Sequence, residues 1–389
     1  MAKHLAKDNK VFGLIRKKSD WQKHKNLITH NILSDIKLIE GDLNDAFSLA
    51  KAMDESQPDV IFHLGGQSFV PLSFKNPLDT LKTNTIGTAN LLEVARIKSI
   101  DPKIVFAGSS EEYGLVFSSE QQHQDIIKKY GSIYPEPTRI PELPIDENNP
   151  LRPMSPYGVS KVHGDFLMRD YYHTYGLKTI ISRAFNHEGA CRGIKFVTSS
   201  ITQQIIRLKL GEIDKITIGN VNAFRDWSHV NDVVEGYVTL AEKGRFGDVY
   251  NQGSMRTNSV LSYLLLSLET AGWGIDRIET MFNGKKVEKP TEINKDKYAG
   301  LSFEKTKVDD LMLANKLSFD ISDGGIIVHT NKGLVKIEFD KEMFRPSEVP
   351  ILLSDTSKIN KLGVKVNYKL VDIIKDQLNY FLDKANRDQ

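Results

Sequence analysis

The chain has 389 residues, of which 40% are hydrophobic and 26% charged, so it can fill two domains with sizeable cores and is not mainly disordered. Its 52 Lys and Arg against 50 Asp and Glu exclude a strong overall field for nucleic acid or a membrane surface. Cys191 is the only cysteine, which excludes an internal disulfide, and no signal peptide or membrane-spanning run is found. We therefore expect a cytoplasmic protein. The histidines show no zinc-ligand spacing, so no metal site is expected.

Short apolar runs alternate with helical patterns through the first half of the chain. They predict buried parallel strands at residues 11–15, 36–39, 60–64, 104–107 and 179–181. Spacing of three and four predicts one helix facing the sheet, through Leu78, Leu81, Thr85, Ala89, Leu92 and Ala95. The alternation is typical of a Rossmann-like, doubly wound α/β sheet, whose ligands bind beyond the carboxyl ends of the strands.

Two stretches interrupt this rhythm. Residues 115–150 are rich in proline and polar side chains, which predicts a long surface excursion with a helix near residues 120–129. Residues 317–339 contain three alternating runs separated by Asp-Gly-Gly and Asn-Lys-Gly, which predicts an inserted antiparallel β-meander. Neither stretch carries an evident chemical motif.

Side chains suited to proton transfer follow the fourth predicted strand and begin a later helix. The sequence "SSEEYG" puts the Ser109 hydroxyl and the Glu111 carboxylate at a strand end, and "SPYGVSK" puts Tyr157 and Lys161 one helical turn apart. An ammonium near a phenol lowers the phenol pKa from about 10 toward neutrality, where Tyr can act as a general base. The Tyr and Lys spacing alone equally fits an exposed helix face; the strand-end position of Ser109 favours catalysis.

These motifs, together with "VIFHLGGQS" and "GDL", resemble the extended short-chain dehydrogenases/reductases that act on nucleotide sugars. More narrowly, five motifs, in order, resemble the GDP-mannose 4,6-dehydratase family: "SSEEYG", "FNHEGACRG", "FVTSSIT", "IGNVNAFRDWSHVNDVV" and "FRPSEVPILLSD". The resemblance implies an NAD(P)-binding Rossmann domain at 1–184 plus about 214–253, and a smaller α/β nucleotide-sugar domain at 185–213 plus 254–389.

The resemblance also implies a hydro-lyase that converts GDP-mannose to GDP-4-keto-6-deoxymannose with internally recycled NADP. Its catalytic set would be Ser109, Glu111, Tyr157 and Lys161. Glu111 would remove the hydrogen on carbon five, which a ketone at carbon four acidifies. Glu112 falls where the family has a non-catalytic residue, and we interpret it as a solvated or structural acid. His63, His187 and His229 are interpreted as structural residues.

Ligand contacts are carried over from the family residue by residue. Arg16, followed by Lys17 and Lys18, suits a ribose phosphate and favours NADP over NAD. The implied cofactor residues are Arg16, Asp42, Leu43, Leu64, Gly65, Gly66, Tyr157 and Lys161. The implied nucleotide-sugar residues are Ser68, Ser73, Asn186, Arg225, Arg345 and Glu348. The family resemblance also implies a homodimer or tetramer, without nucleic-acid or membrane partners.

The chain departs from the family pattern at its beginning. The strand and the Gly-x-x-Gly-x-x-Gly turn that receive the pyrophosphate are missing, and we expect a start assigned too far downstream or a fragment. Ser199 and Ser200 replace basic residues, which leaves the recognised base open. Alternatives are a GDP-4-keto-6-deoxymannose reductase, another nucleotide-sugar epimerase or reductase, and a non-catalytic nucleotide-sugar-binding relic.

Overall fold

The computed structural model describes residues 1–16 and 25–388. Lys17 and Lys18, which the sequence analysis groups with Arg16, lie outside the described residues. Among the helices of the described ranges, none combines the length and the apolar composition needed to cross a membrane.

Strands are numbered here in chain order. They are β1 (Val11–Ile15), β2 (Ile36–Glu40), β3 (Val60–His63), β4 (Lys103–Ser109), β5 (Thr179–Ala184), β6 (Asn186–Glu188), β7 (Lys215–Ile218), β8 (Phe224–Arg225), β9 (Trp227–His229), β10 (Val249–Gln252), β11 (Asn258–Ser259), β12 (Ile275–Thr280), β13 (Lys286–Glu288), β14 (Ile293–Asn294), β15 (Lys297–Tyr298), β16 (Leu301–Ser302), β17 (Lys305–Thr306), β18 (Gly325–Thr330) and β19 (Gly333–Phe339). The strands predicted for the first half are confirmed as β1 to β5, with small shifts at their ends.

Helices are numbered in the same way. They are α1 (Ala2–Leu5), α2 (Lys25–Thr29), α3 (Ala46–Ser56), α4 (Val70–Lys75), α5 (Pro77–Leu81), α6 (Gly87–Ile97), α7 (Glu120–Tyr130), α8 (Pro156–Tyr175), α9 (Val197–Lys209), α10 (Val230–Lys243), α11 (Val260–Thr270), α12 (Lys307–Leu313), α13 (Ser357–Asn360), α14 (Leu370–Leu382) and α15 (Lys384–Arg387). A π-helical segment, Lys82–Ile86, joins α5 to α6. Short 3₁₀ turns lie at Leu33–Asp35, Ser110–Glu112, Ile321–Asp323 and Lys341–Met343.

A parallel four-stranded sheet forms the centre of the first half, in the order β10, β5, β4, β3. Its middle strands are apolar on both faces because helices cover both faces. Ile104 and Phe106 of β4 pack in one core with α3, α6 and α8, whereas Val105 packs in a second core with α10. This layering confirms the predicted doubly wound α/β fold.

β1 and β2 pair in parallel as a separate two-stranded sheet, with Val11 opposite Ile36 and Ile15 opposite Glu40. Within residues 1–16 and 25–388, no strand hydrogen-bonds this pair to β3. The carboxyl ends of β1 and β2 carry Arg16 and Asp42, two of the residues assigned to the cofactor. The prediction that the family's first strand and glycine turn are missing stays a prediction.

The helix that follows β3 is interrupted by the π-helical segment. The wider π-helical turn rotates the buried face of the helix. The apolar stripe predicted from Leu78 to Ala95 is therefore buried only in its second half. Leu92 and Ala95 are fully buried, whereas the Leu78 side chain is 81% exposed. The rotation turns Asn84, at 4% exposure, toward the loop after β3.

The second half contains a five-stranded sheet in the order β13, β12, β18, β19, β7. The antiparallel hairpin predicted within residues 317–339 is confirmed as β18 and β19. The first run of the predicted meander is wrong as a strand, because the backbone of Phe319 binds the Asn222 side chain instead of a neighbouring strand. β19 pairs in parallel with β7, so the inserted hairpin belongs to the sheet of this half.

The excursion at residues 115–150 contains the predicted helix as α7. The Arg152 side chain binds the backbone of this excursion. Its Nε donates to the Leu115 carbonyl at 2.8 Å, and its Nη1 donates to the Pro135 carbonyl at 2.7 Å. The same guanidinium forms an ion pair with Glu142, and both side chains are buried. The excursion is therefore fixed at three points to the chain just before α8.

Candidate active site

The end of β4 is folded back on itself by the 3₁₀ turn Ser110–Glu112. Ser109 begins this turn: its Oγ accepts a hydrogen bond from the Glu111 N–H at 3.2 Å. The Ser109 N–H donates in return to Glu112 Oε1 at 2.7 Å, which completes a capping box. The arrangement leaves Glu111 half-buried at the carboxyl edge of the sheet, where doubly wound folds bind ligands.

The amino end of α8 packs against this turn. Ser155 caps the helix by accepting from the Gly158 N–H at 3.0 Å, and Pro156 occupies the first position of the helix, where an N–H is not needed. A Cβ at position 158 would lie 2.7 Å from the Glu111 carbonyl oxygen, so glycine permits the close approach. The structure thereby brings Tyr157 and Lys161 to the strand end that carries Ser109 and Glu111.

Burial dominates the ionisation of the Tyr and Lys pair. It raises the pKa of Tyr157 to about 12, partly offset by a hydrogen bond with Ser109. Burial also lowers the pKa of Lys161 to about 8, against the opposing effect of Glu112. The predicted shift of the Tyr157 pKa toward neutrality is therefore wrong for the protein alone. Lys161 Nζ donates to the Ala107 carbonyl at 2.7 Å and lies 5.8 Å from the Tyr157 ring centre, so its charge does not offset the desolvation of the phenol.

Glu111 lies in the field of two guanidinium groups. Burial raises the pKa of Glu111, and the charges of Arg225 and Arg345 oppose this rise. A carboxyl group with a raised pKa is a stronger base once ionised, as a proton-abstracting group requires. The acid expected to act on the sugar is therefore next to the cations expected to hold its diphosphate.

The two arginines meet at one carboxylate. Arg225 Nη2 lies 2.5 Å from Glu348 Oε1, and Arg345 Nη1 lies 3.2 Å from the same oxygen. Arg225 is also fixed from behind, because its Nη1 donates to the Val349 carbonyl at 2.7 Å. Asn186 Oδ1 is buried without a hydrogen-bond partner among the described residues, so it is a free acceptor.

The two serines assigned to the sugar differ in their surroundings. Ser68 is exposed at the carboxyl edge after β3. Ser73 is fully buried, and its hydroxyl donates to the Val70 carbonyl at 2.7 Å within α4. The structure therefore leaves Ser68 open to a ligand and does not bring Ser73 to the open side of the site.

The residues assigned to the cofactor share one edge of the sheets. Arg16 follows β1, Asp42 and Leu43 follow β2, and 64–66 follow β3, where all three residues are exposed. A Cβ at Gly66 would lie 2.9 Å from Asn84 Oδ1, so the loop passes close beneath the π-helical segment. This glycine-lined, exposed edge fits a nicotinamide dinucleotide, which needs close backbone approach.

Two polar side chains of the site escaped the sequence analysis. Asn84 Oδ1 accepts from the Gln67 N–H at 2.8 Å, and its Nδ2 donates to Ser160 Oγ at 2.9 Å, which ties the cofactor loop to α8. Arg192 lies over the Phe196 ring, and its charge acts on the pKa of Tyr157. A π-helical break leaves no signal in the apolar pattern, whereas the Arg-Gly of "FNHEGACRG" could have marked Arg192 as part of the site.

The three histidines considered in the sequence are engaged in internal hydrogen bonds. His63 Nε2 lies 2.9 Å from Thr88 Oγ1, and burial lowers the pKa of His63 to about 3. His187 Nδ1 lies 3.0 Å from the Phe185 carbonyl, and His229 accepts from the Asn231 N–H at 3.1 Å. Within the described ranges, no group of three or more His, Cys, Asp or Glu side chains is arranged to hold a metal ion.

The sequence of this chain is similar to those of known nucleotide-sugar enzymes. Residues 1–253 match the family described as "NAD dependent epimerase/dehydratase family". The chain is 31% identical over 369 residues to a GDP-mannose 4,6-dehydratase of Yersinia enterocolitica, covering 92% of this chain and 83% of that protein. It is 29% identical over 388 residues to a GDP-mannose 4,6-dehydratase of Vibrio cholerae, covering 98% of this chain and 89% of that protein.

Solved structures share the fold. RMD from Pseudomonas aeruginosa, complexed with NADPH, matches with a TM-score of 0.64 at 22% identity, over 95% of this chain and 98% of that one. UDP-glucose 4-epimerase from Thermotoga maritima matches with a TM-score of 0.66 at 19% identity, over 98% of this chain and 94% of that one. Together with the family match over residues 1–253, these comparisons establish that the chain belongs to the NAD-dependent epimerase/dehydratase family.

Proposed function

We propose that this protein is a nucleotide-sugar 4,6-dehydratase that converts GDP-mannose to GDP-4-keto-6-deoxymannose. The observation that carries the proposal is the position of Glu111 in the same turn as the Ser109 hydroxyl, close enough to Tyr157 to act on its pKa. Oxidation or reduction of an alcohol needs only the hydroxyl, Tyr and Lys set. A carboxylate beside that set supplies the additional base that elimination of water requires.

Tyr157 is the group we assign to the hydroxyl at carbon four. Its phenolate accepts the hydroxyl proton while carbon four loses a hydride, and Ser109 holds the same oxygen by a hydrogen bond. When bound, the nicotinamide cofactor supplies the hydride acceptor for carbon four and the hydride donor for carbon six. Lys161 orients the site by holding the Ala107 carbonyl near the end of β4.

Glu111 acts after the ketone has formed. The ketone acidifies the hydrogen on carbon five, Glu111 removes it as a proton and passes that proton to the hydroxyl of carbon six, which leaves as water. With the cofactor bound, carbon six would receive the hydride that carbon four lost, and carbon five would take a proton from solvent. The sum is the loss of one water molecule without net change of the cofactor.

Arg225, Arg345 and Glu348 are proposed to hold the nucleoside diphosphate. The guanidinium fork matches phosphate oxygens in pairs, and the Glu348 carboxylate can accept from ribose hydroxyls. Asn186, with its free buried acceptor, is proposed to contact the same ligand. Ser68 and Ser73 stay weaker proposals for the sugar, because only Ser68 is exposed.

NADP is the proposed cofactor, with NAD as the alternative. Arg16 is exposed immediately after β1, where a cation suits a ribose phosphate. Asp42, Leu43, Leu64, Gly65 and Gly66 would line the remainder of the cofactor edge. Structural relatives are described in complex with NADPH or with NAD, which supports a nicotinamide cofactor without selecting between the two.

We also propose a homodimer formed through the helices outside the cofactor edge. Leu78 and Ile86 are 81% and 52% exposed, and Val159 and Phe166 on the neighbouring α8 are 47% and 54% exposed. Apolar side chains on adjacent helices are typical of a protein interface. Sedimentation of the protein and of Phe166→Asp tests this, with a monomeric variant expected.

The decisive assay incubates the protein with GDP-mannose and a trace of NADP in heavy water. Mass spectrometry should show loss of water and one deuterium at carbon five, with no net reduction of cofactor. Tyr157→Phe, which lacks the phenol, is the control and should give no product. Stoichiometric consumption of NADPH on a 4-keto sugar would identify a reductase, and GDP-mannose binding without turnover would identify a binding protein.

A further inference from the structure

Glu112, the residue after the proposed catalytic base, is completely buried. We propose that Glu112 is a positioning residue that fixes the end of β4, and with it the Ser109 hydroxyl and Glu111, against β5 and α8. The proposal rests on the function assigned to Ser109 and Glu111 above. It replaces the sequence interpretation of Glu112 as a solvated or structural acid with a specific role.

One oxygen of Glu112 holds the strand end. Glu112 Oε1 accepts from the Ser109 N–H at 2.7 Å, while Ser109 Oγ accepts from the Glu111 N–H at 3.2 Å. A Cβ at Gly108 would lie 2.7 Å from Glu112 Oε1, so the glycine leaves the space that the carboxylate occupies. The two reciprocal bonds fix the Ser109 hydroxyl and the backbone of Glu111, from which the proposed catalytic carboxylate projects.

The other oxygen of Glu112 faces a buried cation. Glu112 Oε2 lies 3.3 Å from Arg183 Nε on β5, and it has no hydrogen-bond partner. Arg183 Nε donates to Asp165 Oδ2 of α8 at 2.9 Å, and its Nη1 donates to the Tyr113 hydroxyl at 3.1 Å. The guanidinium therefore links the turn, β5 and α8 through charge.

Lys161 holds the same strand from α8. Its Nζ donates to the Ala107 carbonyl at 2.7 Å, two residues before the Ser109 N–H that binds Glu112. The Lys161 ammonium and the Glu112 carboxylate thus hold backbone groups of β4 that are two residues apart. A buried carboxylate is costly to desolvate, and this cost is offset here by contacts that all converge on the catalytic strand end.

The charge of Glu112 also acts on its catalytic neighbours. The titratable groups that face it are Asp165, Lys161 and Tyr157 on α8, Arg183 on β5, and Tyr113 on its own turn. Burial raises the pKa of Glu112 itself to about 8, and above that pH its negative charge raises the pKa of Lys161 and that of Tyr157. Removing the carboxylate should therefore lower both values at alkaline pH and move the alkaline side of the pH profile of turnover to lower pH.

Three variants separate positioning from general stability. Glu112→Gln keeps the shape and an acceptor but removes the charge, and Glu112→Leu removes both. Asp165→Asn is the matched control, because it removes one negative charge from the same cluster without touching Ser109. Amide hydrogen exchange at Ser109 and the pH dependence of kcat are measured for each.

In Glu112→Leu, exchange at Ser109 should accelerate at least tenfold and kcat should fall about 10- to 100-fold with KM within threefold, an order typical of lost positioning. Glu112→Gln should keep the exchange protection and shift the pH optimum downward. Equal exchange and equal kcat loss in Asp165→Asn and Glu112→Leu would overturn the proposal. If Glu112→Leu does not fold, an unshifted pH optimum in Glu112→Gln overturns it.

The exchange measurement needs no substrate. If the wild-type protein does not turn over GDP-mannose, the proposed function fails, and Ser109 exchange still decides whether Glu112 holds the strand end. Unchanged exchange at Ser109 in Glu112→Leu would contradict the positioning role whatever the reaction is.

Discussion

Arg225 Nη2 lies 2.5 Å from Glu348 Oε1, although the two residues are more than a hundred positions apart in the chain. The strands that precede them explain the contact. β7 and β19 are paired in parallel with Ile218 opposite Phe339, so the chain leaves both strands at the same end of the sheet. The inserted hairpin therefore contributes directly to the spacing of Arg225, Arg345 and Glu348, which together form the proposed diphosphate clamp.

The clamp has one anchored and one freer arginine, which predicts different outcomes for the two. Arg225 donates to the Val349 and Phe224 carbonyls and is 6% exposed, whereas Arg345 is half-buried and contacts Glu348. We expect Arg345→Ala to raise KM for GDP-mannose about 10- to 100-fold, the effect of losing 1.4 to 3 kcal/mol of a charged hydrogen bond, with little change in kcat. Steady-state kinetics with a thermal melt checks this.

Arg225→Ala is the companion variant. It removes the guanidinium donor of the Val349 carbonyl and one of two donors of the Phe224 carbonyl, and it leaves Glu348 with Arg345 alone, so it should lower the melting temperature as well as raise KM. Arg345→Ala should melt within about 2 °C of the wild type, the scale of a change of about 1 to 2 kcal/mol in a protein of this size. Equal melting temperatures for both variants would contradict the assigned anchoring role of Arg225.

Replacing Glu111 should separate the oxidation step from the elimination. Glu111→Gln keeps the size of the side chain but cannot remove the hydrogen on carbon five. We expect the overall rate to fall about 10²- to 10⁴-fold, as for loss of a general base, while oxidation at carbon four still reduces bound cofactor. Deuterium incorporation at carbon five and absorbance of reduced cofactor in a single turnover measure the two steps. Normal deuterium incorporation would exclude Glu111 as the base.

The raised pKa of Glu111 has a consequence for the pH profile of the wild type. Burial raises the pKa, and a base acts only when deprotonated, so activity should appear at a higher pH than an ordinary Glu, near 4.3, would give. The acidic limb of kcat/KM measures this value. A limb at or below the ordinary Glu pKa would contradict the assignment of Glu111 to that limb.

The sequence was sufficient for features that depend on local pattern. The parallel strands follow from apolar runs, and the strand end with Ser109 and Glu111 and the helix start with Tyr157 and Lys161 follow from local pattern. Their joint catalytic role is what the family resemblance implies, and it stays a proposal. Features that depend on distant partners were not predictable. Burial of Glu112 depends on Arg183, 71 positions along the chain, and the Tyr157 pKa depends on desolvation that no spacing encodes.

Lys161 should set an upper pH limit for turnover. Burial lowers its pKa to about 8, so its positive charge is present below that pH and is lost as the pH rises through it. The rate of the wild type should therefore decline above pH about 8, because the neutral amine makes a weaker hydrogen bond to the Ala107 carbonyl and holds the end of β4 less firmly. Lys161→Arg keeps its charge at higher pH and should lose this decline, whereas Lys161→Met should be slow throughout. A decline that persists in Lys161→Arg would assign it to another group.

Arg16 should select the phosphorylated cofactor. Arg16→Asp places a negative charge where the ribose phosphate is proposed to bind, so it should weaken NADP binding about 10- to 100-fold, the range for a lost charge-assisted bond, and leave NAD binding nearly unchanged. Calorimetric titration with each cofactor measures the ratio. The exposed Lys10 near β1 provides a control through Lys10→Asp, which should leave the ratio unaltered. An unchanged ratio in Arg16→Asp would remove Arg16 from the cofactor site.

The buried ion pair between Glu142 and Arg152 should govern the stability of the excursion. Both side chains are almost completely buried, and Arg152 also donates to two backbone carbonyls. Glu142→Leu leaves a buried guanidinium without its counter-charge, which should cost about 3 to 5 kcal/mol of unfolding free energy. Urea unfolding followed by fluorescence measures the loss.

A surface pair on the same excursion provides the matched control. Arg139 Nη2 lies 3.1 Å from Asp146 Oδ2, and the two side chains are 49% and 30% exposed. Solvent screens this pair, so Asp146→Ala at the exposed site should cost no more than about 1 kcal/mol. The double variant Glu142→Leu with Arg152→Met should recover part of the loss of Glu142→Leu, because it removes the uncompensated charge. A double variant less stable than either single variant would show that the hydrogen bonds of Arg152 to the backbone, rather than its charge pairing, hold the excursion in place.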